Sequence, residues 1–247
     1  MSVATLRQIL LITDGCSNHG EDPSMVASLA HEEGITVNVI GILDQGSMSQ
    51  EGEREVEQIA LAGGGISQVV YTKQLAQTVQ MVTRQAMTQT LQGVVNKELQ
   101  GILGEQSEWE DLPPDQRGEV LEVVDDLGES VQLELFILVD TSASMKTKLQ
   151  SVQEALRDLS ISLQSREGGN LFTLSGFPGK RKEIDQLLNW TPKLDSLTNV
   201  FRKMTPSGVT PTGPALKAAL NQMTKRKQRR QLLSESSGGE DVEEASS

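Results

Sequence analysis

The sequence predicts an α/β fold built on a mostly parallel sheet, on three observations. Short apolar runs rich in Val, Ile and Leu recur along the chain. Segments with helical spacing lie between them, and glycines mark several of the junctions. Aromatic residues make up only 3% of the chain, so aliphatic side chains must fill the core. At 247 residues the chain is long enough to bury a sizeable one.

Taken in order, residues 9–13 read as a buried strand and 23–33 as a helix with Gly34 at its C-terminal cap, followed by a second strand over 35–42. Residues 51–62 have helical spacing at Val56, Ile59 and Ala60 and end in Gly63-Gly64-Gly65. That triplet precedes a strand, at 66–71, so it reads as a helix stop and not as a phosphate cradle. A helical tract over 72–103 carries an apolar stripe from Leu75 to Ile102, suited to covering the sheet or to docking a partner. Residues 104–129 are acidic and broken by Pro113-Pro114; they read as an insert with at most a short helix near 120–127.

A strand at 133–139 opens the second half, and Leu149, Val152, Leu156, Leu159 and Leu163 line one face of a helix. Strands follow at 170–177 and, at a sheet edge, 184–190, then helices at 195–204 and 214–223. The basic run Lys225 to Arg230 reads as the solvated end of that helix, with nucleic-acid binding the less favoured use. From residue 234 the composition is Ser, Gly and Glu, that of a disordered tail. The expected division is 1–72 and 130–230 as the two halves of one domain, a long helix plus the acidic insert over 73–129 between them, and a tail over 231–247.

Charge and cysteine bound the function. The net charge of −12 is concentrated: residues 105–129 carry −9 and 235–244 carry −5, leaving the rest near +2. Such runs are solvated and keep a protein away from nucleic acid. One cysteine, Cys16, excludes an internal disulfide. The first residues lack the apolar stretch of a secretory signal, and no run approaches the ~20 residues of a membrane span. A cytoplasmic protein with no membrane contact is expected.

The chemistry lies where strands end. The apolar run Phe136-Ile137-Leu138-Val139 meets Asp140-Thr141-Ser142-Ala143-Ser144, a D-x-S-x-S loop. Gly208-Val209-Thr210-Pro211-Thr212-Gly213 supplies a second hydroxyl loop, and the first strand runs from Thr13 into Asp14-Gly15. Asp140, Ser142, Ser144, Thr210 and Asp14 form an all-oxygen donor set with neither thiolate nor imidazole. Such a set suits Mg²⁺ or Mn²⁺ and not Zn²⁺. Asp and Ser at a strand-to-helix junction also suit a metal-free helix N-cap, and Thr212 rivals Thr210. Cys16 follows the Asp14 loop, where it is either an ordinary small residue or a neighbour of the ion. His19 and His31 are too scattered for a zinc site.

These residues resemble the von Willebrand factor A-like (VWA) family. There, D-x-S-x-S, a later Thr in a G-x-T-P-like turn and an Asp after a buried strand form a metal-ion-dependent adhesion site. The resemblance covers roughly residues 5–72 and 130–222, and within the family the chain is similar to the YabS-like group of bacterial cytosolic members. The departure is one of order, because the strand ending in Asp14 usually follows the Thr loop. The resemblance therefore implies a circularly permuted, doubly wound, Rossmann-like fold. Its six-stranded sheet, helices on both faces, would run through strands near 185, 172, 136, 11, 38 and 68.

It also implies a function. The module would not be an enzyme; it would bind a protein partner whose Glu or Asp completes the coordination of the ion, and cytosolic relatives commonly work with ATPases or kinases. The alternative is an Mg²⁺-dependent phosphohydrolase, since an apolar strand ending in Asp140 also resembles the haloacid-dehalogenase type. Those enzymes need a second Asp two positions on, where this chain has Ser142. A monomer is expected, with a dimer swapping the two halves as its rival. Two carboxylates close together also lead to the expectation that replacing either leaves the metal-free fold intact.

Overall fold

The computed structural model describes residues 4–43, 48–103, 112–194, 197–202, 204 and 208–237. Its strands are β1 (Thr5–Thr13), β2 (Thr36–Leu43), β3 (Gly64–Tyr71), β4 (Gln132–Asp140), β5 (Asn170–Phe177) and β6 (Asp185–Thr191). Its helices are α1 (Pro23–Glu32), α2 (Gln50–Ala62), α3 (Leu75–Leu103), α4 (Pro114–Ser130), α5 (Leu149–Leu163), α6 (Leu197–Phe201) and α7 (Thr212–Ser237). The strands form one six-stranded sheet ordered β3-β2-β1-β4-β5-β6. Every pairing is parallel except that of β6, which is antiparallel to β5 at the edge.

Side-chain alternation sorts the apolar residues into two cores. Leu10 and Ile12 of β1 and Leu135 and Ile137 of β4 face α3 and α5, meeting Val79, Val82, Val152 and Leu156. Ile9, Leu11, Phe136 and Leu138 face the other way, against α1, α2 and α7. Both faces are covered, which is why the central strands read as continuous apolar runs with no alternation. The chain leaves β1 through α1 on one face and leaves β4 through α5 on the other. β1 and β4 lie side by side, with Ile12 opposite Val139, so the connections diverge between the ends of these two strands. That is the switch point where open α/β sheets bind ligands.

The acidic segment departs from expectation. Residues 104–111 lie outside the described residues, and the rest forms the 17-residue helix α4, well beyond a short helix near 120–127. Pro114 sits at the first helical position, where its missing N–H costs nothing. Val124 is buried and Val120 and Leu127 pack around it at helical spacing against the same core as α3, while the acids occupy the remaining faces. The C-terminal carbonyls are held by Arg166, which donates to Gly128 O from Nε and Nη2 (2.9 and 2.6 Å) and to Val131 O (2.8 Å). Arg166→Ala is expected to cost about 1–3 kcal/mol, with early hydrogen exchange in α4. Arg166→Lys should recover little, because an ammonium has no fork to span two carbonyls. Chemical denaturation with exchange mass spectrometry measures both.

Two helices also differ from expectation. Among the described residues of the 195–204 helix, Leu197–Phe201 are helical and 202 and 204 are not; residues 195, 196 and 203 lie outside those described. The helix expected over 214–223 instead runs over Thr212–Ser237, so the segment expected as a tail from 231 begins helical; 238–247 lie outside the described residues. The basic run is not simply a solvated end. Arg226 and Arg230 turn inward to Glu134 at 3.0 and 2.6 Å, and Lys227 reaches Glu33. Arg7 of β1 meets the same Glu134 at 3.2 Å, so α7 returns to the start of β1.

Candidate metal centre

β1 and β4 end together, and their last residues build the crevice. Asp140 closes β4 and is fully buried. Its Oδ1 accepts the Ser142 N–H at 2.7 Å and its Oδ2 accepts the Thr13 hydroxyl at 2.8 Å. Burial pushes its carboxyl above the usual range; the bonds from Ser142 and Thr13 pull it back, and the nearby Asp14 charge adds to the rise. Beyond β4 a 3₁₀ turn over Ala143–Thr147 replaces a regular helix start. It sets the Ser142 and Ser144 hydroxyls 3.1 Å apart, and the Ser144 hydroxyl donates to Asp14 Oδ1 at 2.8 Å. Four of the five predicted residues are thus one hydrogen-bonded chain across the β1/β4 seam. Thr141, between them, points away and donates its hydroxyl to Phe177 O at 3.0 Å.

Thr210 is held to this group through the loop after Asp14. Its N–H donates to Asn18 Oδ1 at 2.9 Å, and its carbonyl accepts the Asn18 N–H at 3.1 Å. Among the described residues these backbone bonds are what tie Thr210 to the crevice. The rival Thr212 is buried at the start of α7, and its hydroxyl has no protein partner among the described residues. Glycine lets the two loops interlock. A Cβ on Gly213 would overlap the Glu21 carbonyl, and Gly20, at φ +93°, would drive one into Pro214.

Three residues that shape the site were not legible in the sequence. Asn18 clamps Thr210, and Glu55 accepts the Ser17 N–H at 2.7 Å, its carboxyl raised first by burial. Lys148 donates from Nζ to Asp14 Oδ2 at 2.5 Å. None belongs to a recognisable spacing, and each reaches the crevice only through folding. Lys148 also corrects one expectation: Asp14 has a partner in the fold, so replacing it would strand a buried ammonium.

The other candidates lie apart. Cys16 Sγ sits 3.7 Å from the Ser49 hydroxyl at the start of α2, and His31 packs against Gly64. His19 borders a cavity of about 790 Å³ beside the Asp14 loop, with Glu51, Arg54 and Glu55. Among the described residues no three His, Cys, Asp or Glu side chains converge as a metal-holding group. The crevice instead offers two carboxylates and neutral hydroxyls, a donor set that suits a hard divalent ion, with the Lys148 ammonium seated on Asp14.

Fold and crevice together define a doubly wound α/β protein with a carboxylate–hydroxyl site at its switch point. The chain belongs to the family of the uncharacterised protein YabS of Bacillus subtilis (strain 168). The two are 60% identical over 235 residues, 95% of this chain and 96% of that protein. The crystal structure of an uncharacterised protein from Alicyclobacillus acidocaldarius has the same fold, with a TM-score of 0.84 and 42% identity over 91% of this chain and 96% of its own. Proximal thread matrix protein 1 of the mussel byssus, solved with a zinc-occupied MIDAS motif, is similar only at a TM-score of 0.29 and 18% identity, over 87% of this chain and 46% of its own. No protein-family model matches the chain. Among the described residues no helix is long and apolar enough to cross a membrane.

Proposed function

We propose that this protein is a cytoplasmic, non-enzymatic adaptor of the VWA type, which captures a carboxylate of a partner protein through a divalent ion. The observation that carries this is the hydrogen-bonded chain Asp140–Ser142–Ser144–Asp14 across adjacent strand ends. Asp14, Asp140, Ser142, Ser144 and Thr210 would hold the ion. A bound Mg²⁺ or Mn²⁺ supplies an electrophilic coordination position for a partner's Glu or Asp. The residues of the chain do the rest. Thr13 and the Ser142 N–H fix the Asp140 carboxylate, the 3₁₀ turn presents both serines, and the Asn18 clamp brings up the Thr210 loop.

The residue two positions after Asp140 supports binding over phosphoryl transfer, since it is Ser142, where the phosphohydrolase type needs a second Asp as its acid and base. The permuted order is part of the same reading. The proximity of Arg230 to Arg7 on Glu134 supports it, since a short link there would restore the order usual in the family.

Affinity capture from a native lysate, with Mg²⁺ or with EDTA, tests the proposal. A protein retained only with Mg²⁺, and lost when the bait carries Ser144→Ala, is the expected result. Retention indifferent to both would sink it. Mg²⁺-stimulated hydrolysis of a generic phosphate ester would favour the enzyme instead.

A further inference from the structure

Lys148 stands where local rules disfavour a lysine. It is the residue that enters α5, where the exposed N–H groups of the helix make positive charge unfavourable. Only 8% of it is exposed, so its ammonium has lost much of its water as well. The crevice is what holds it: Nζ donates to Asp14 Oδ2 at 2.5 Å and to the Ser144 carbonyl at 3.4 Å. Both of these residues belong to the proposed donor set.

We infer that Lys148 determines the specificity of the centre: its fixed charge weakens binding of a bare divalent cation and makes the loaded centre require an anion. The inference rests on the metal reading above. Charge balance carries it. Ionised Asp14 and Asp140 with Lys148 give the crevice a net −1. A divalent cation takes this to +1, and a single carboxylate returns it to zero. Without Lys148 the two aspartates neutralise the cation unaided, and a partner's carboxylate would leave an uncompensated negative charge in a buried place. Lys148 also competes directly, because the Asp14 carboxylate it occupies is one the ion would share. Metal and carboxylate should therefore bind better together than apart, a coupling between two ligands and not a property of either.

The effects of removing the charge have opposite signs. Calorimetric titration with Mn²⁺ compares the wild type, Lys148→Met and Lys148→Arg. Acetate is then titrated into each Mn²⁺-loaded protein, with the relaxation of its methyl protons as the readout. Lys148→Met should bind Mn²⁺ about tenfold more tightly, and bind acetate about tenfold more weakly, the order expected for one unit charge a few ångströms away. Lys148→Arg should stay near the wild type in both. Should Lys148→Met fail to fold, Lys148→Gln removes the charge while keeping a donor for Asp14. Unchanged or weaker Mn²⁺ binding in a folded, uncharged variant would overturn the inference while leaving the metal centre standing. Absence of Mn²⁺ binding in all the proteins would overturn the centre, and the inference with it.

Discussion

Asp140→Asn is expected to lower divalent affinity by more than about 100-fold while leaving the metal-free protein as stable as the wild type, or slightly more so. Asp140 is one of the two carboxylates whose charge would hold the ion, directly or through water, and its loss should exceed the 10–100-fold typical of groups that only orient ligands. The amide is nearly isosteric. Its oxygen can accept the Ser142 N–H, and its nitrogen can face the Thr13 oxygen, so the bonds that position the 3₁₀ turn survive. Burial disfavours the charged form of Asp140 more than any other influence on it, and the amide removes that penalty. Titration calorimetry with Mg²⁺ and Mn²⁺, paired with chemical denaturation in EDTA, reads both effects. Equal metal binding by variant and wild type would remove Asp140 from the site. A large loss of stability with metal absent would make it a structural cap. Asp14 is the wrong residue for this separation, because its removal strands Lys148.

The second large effect is at the other end of the same strand. Glu134→Gln should destabilise the protein by about 3–5 kcal/mol, the cost of breaking a buried ion pair from one side. At about 2–4 °C per kcal/mol for a chain of this size, the melting temperature falls by roughly 6–20 °C. The Glu134 side chain is 1% exposed and faces three guanidinium groups, those of Arg7, Arg226 and Arg230. An amide leaves three positive charges together with no counter-ion. Further contacts depend on the same geometry. Arg226 lies over the Trp190 ring at 4.5 Å, Trp190 meets Phe136 edge-on, and Arg230 also bonds Gln132. The loss should be seen first as exchange and proteolysis in the second half of α7. A variant within about 1 kcal/mol of the wild type would mean that apolar packing alone holds α7 there. Divalent binding should persist in folded Glu134→Gln, since residues 134 and 140 are six apart along a strand, about 20 Å.

What the amino-acid order determined by itself was the framework of the site. Period and apolar content located the six strands, because strands buried on both faces read as unbroken Val, Ile and Leu runs. Mapping those strands onto the family order then predicted the sheet order found here. The residues of the crevice were legible because they sit where such runs stop, and a polar residue at the end of a central strand has few uses besides capping or binding. The tertiary structure decided the rest. Helix α4 was hidden because its acids dominate the composition, while the three apolar residues that dock it on the core are too few to stand out. The inward turn of Arg226 and Arg230 depends on Glu134, some 92 and 96 residues distant in sequence. Lys148 reads locally as a lysine after a turn. Only when β1 and β4 lie side by side does Asp14 come within hydrogen-bonding distance of it, from 134 residues away, and the charge of the crevice is set by that meeting. Local sequence encodes period and propensity, whereas the balance of buried charge is a property of which strands become neighbours.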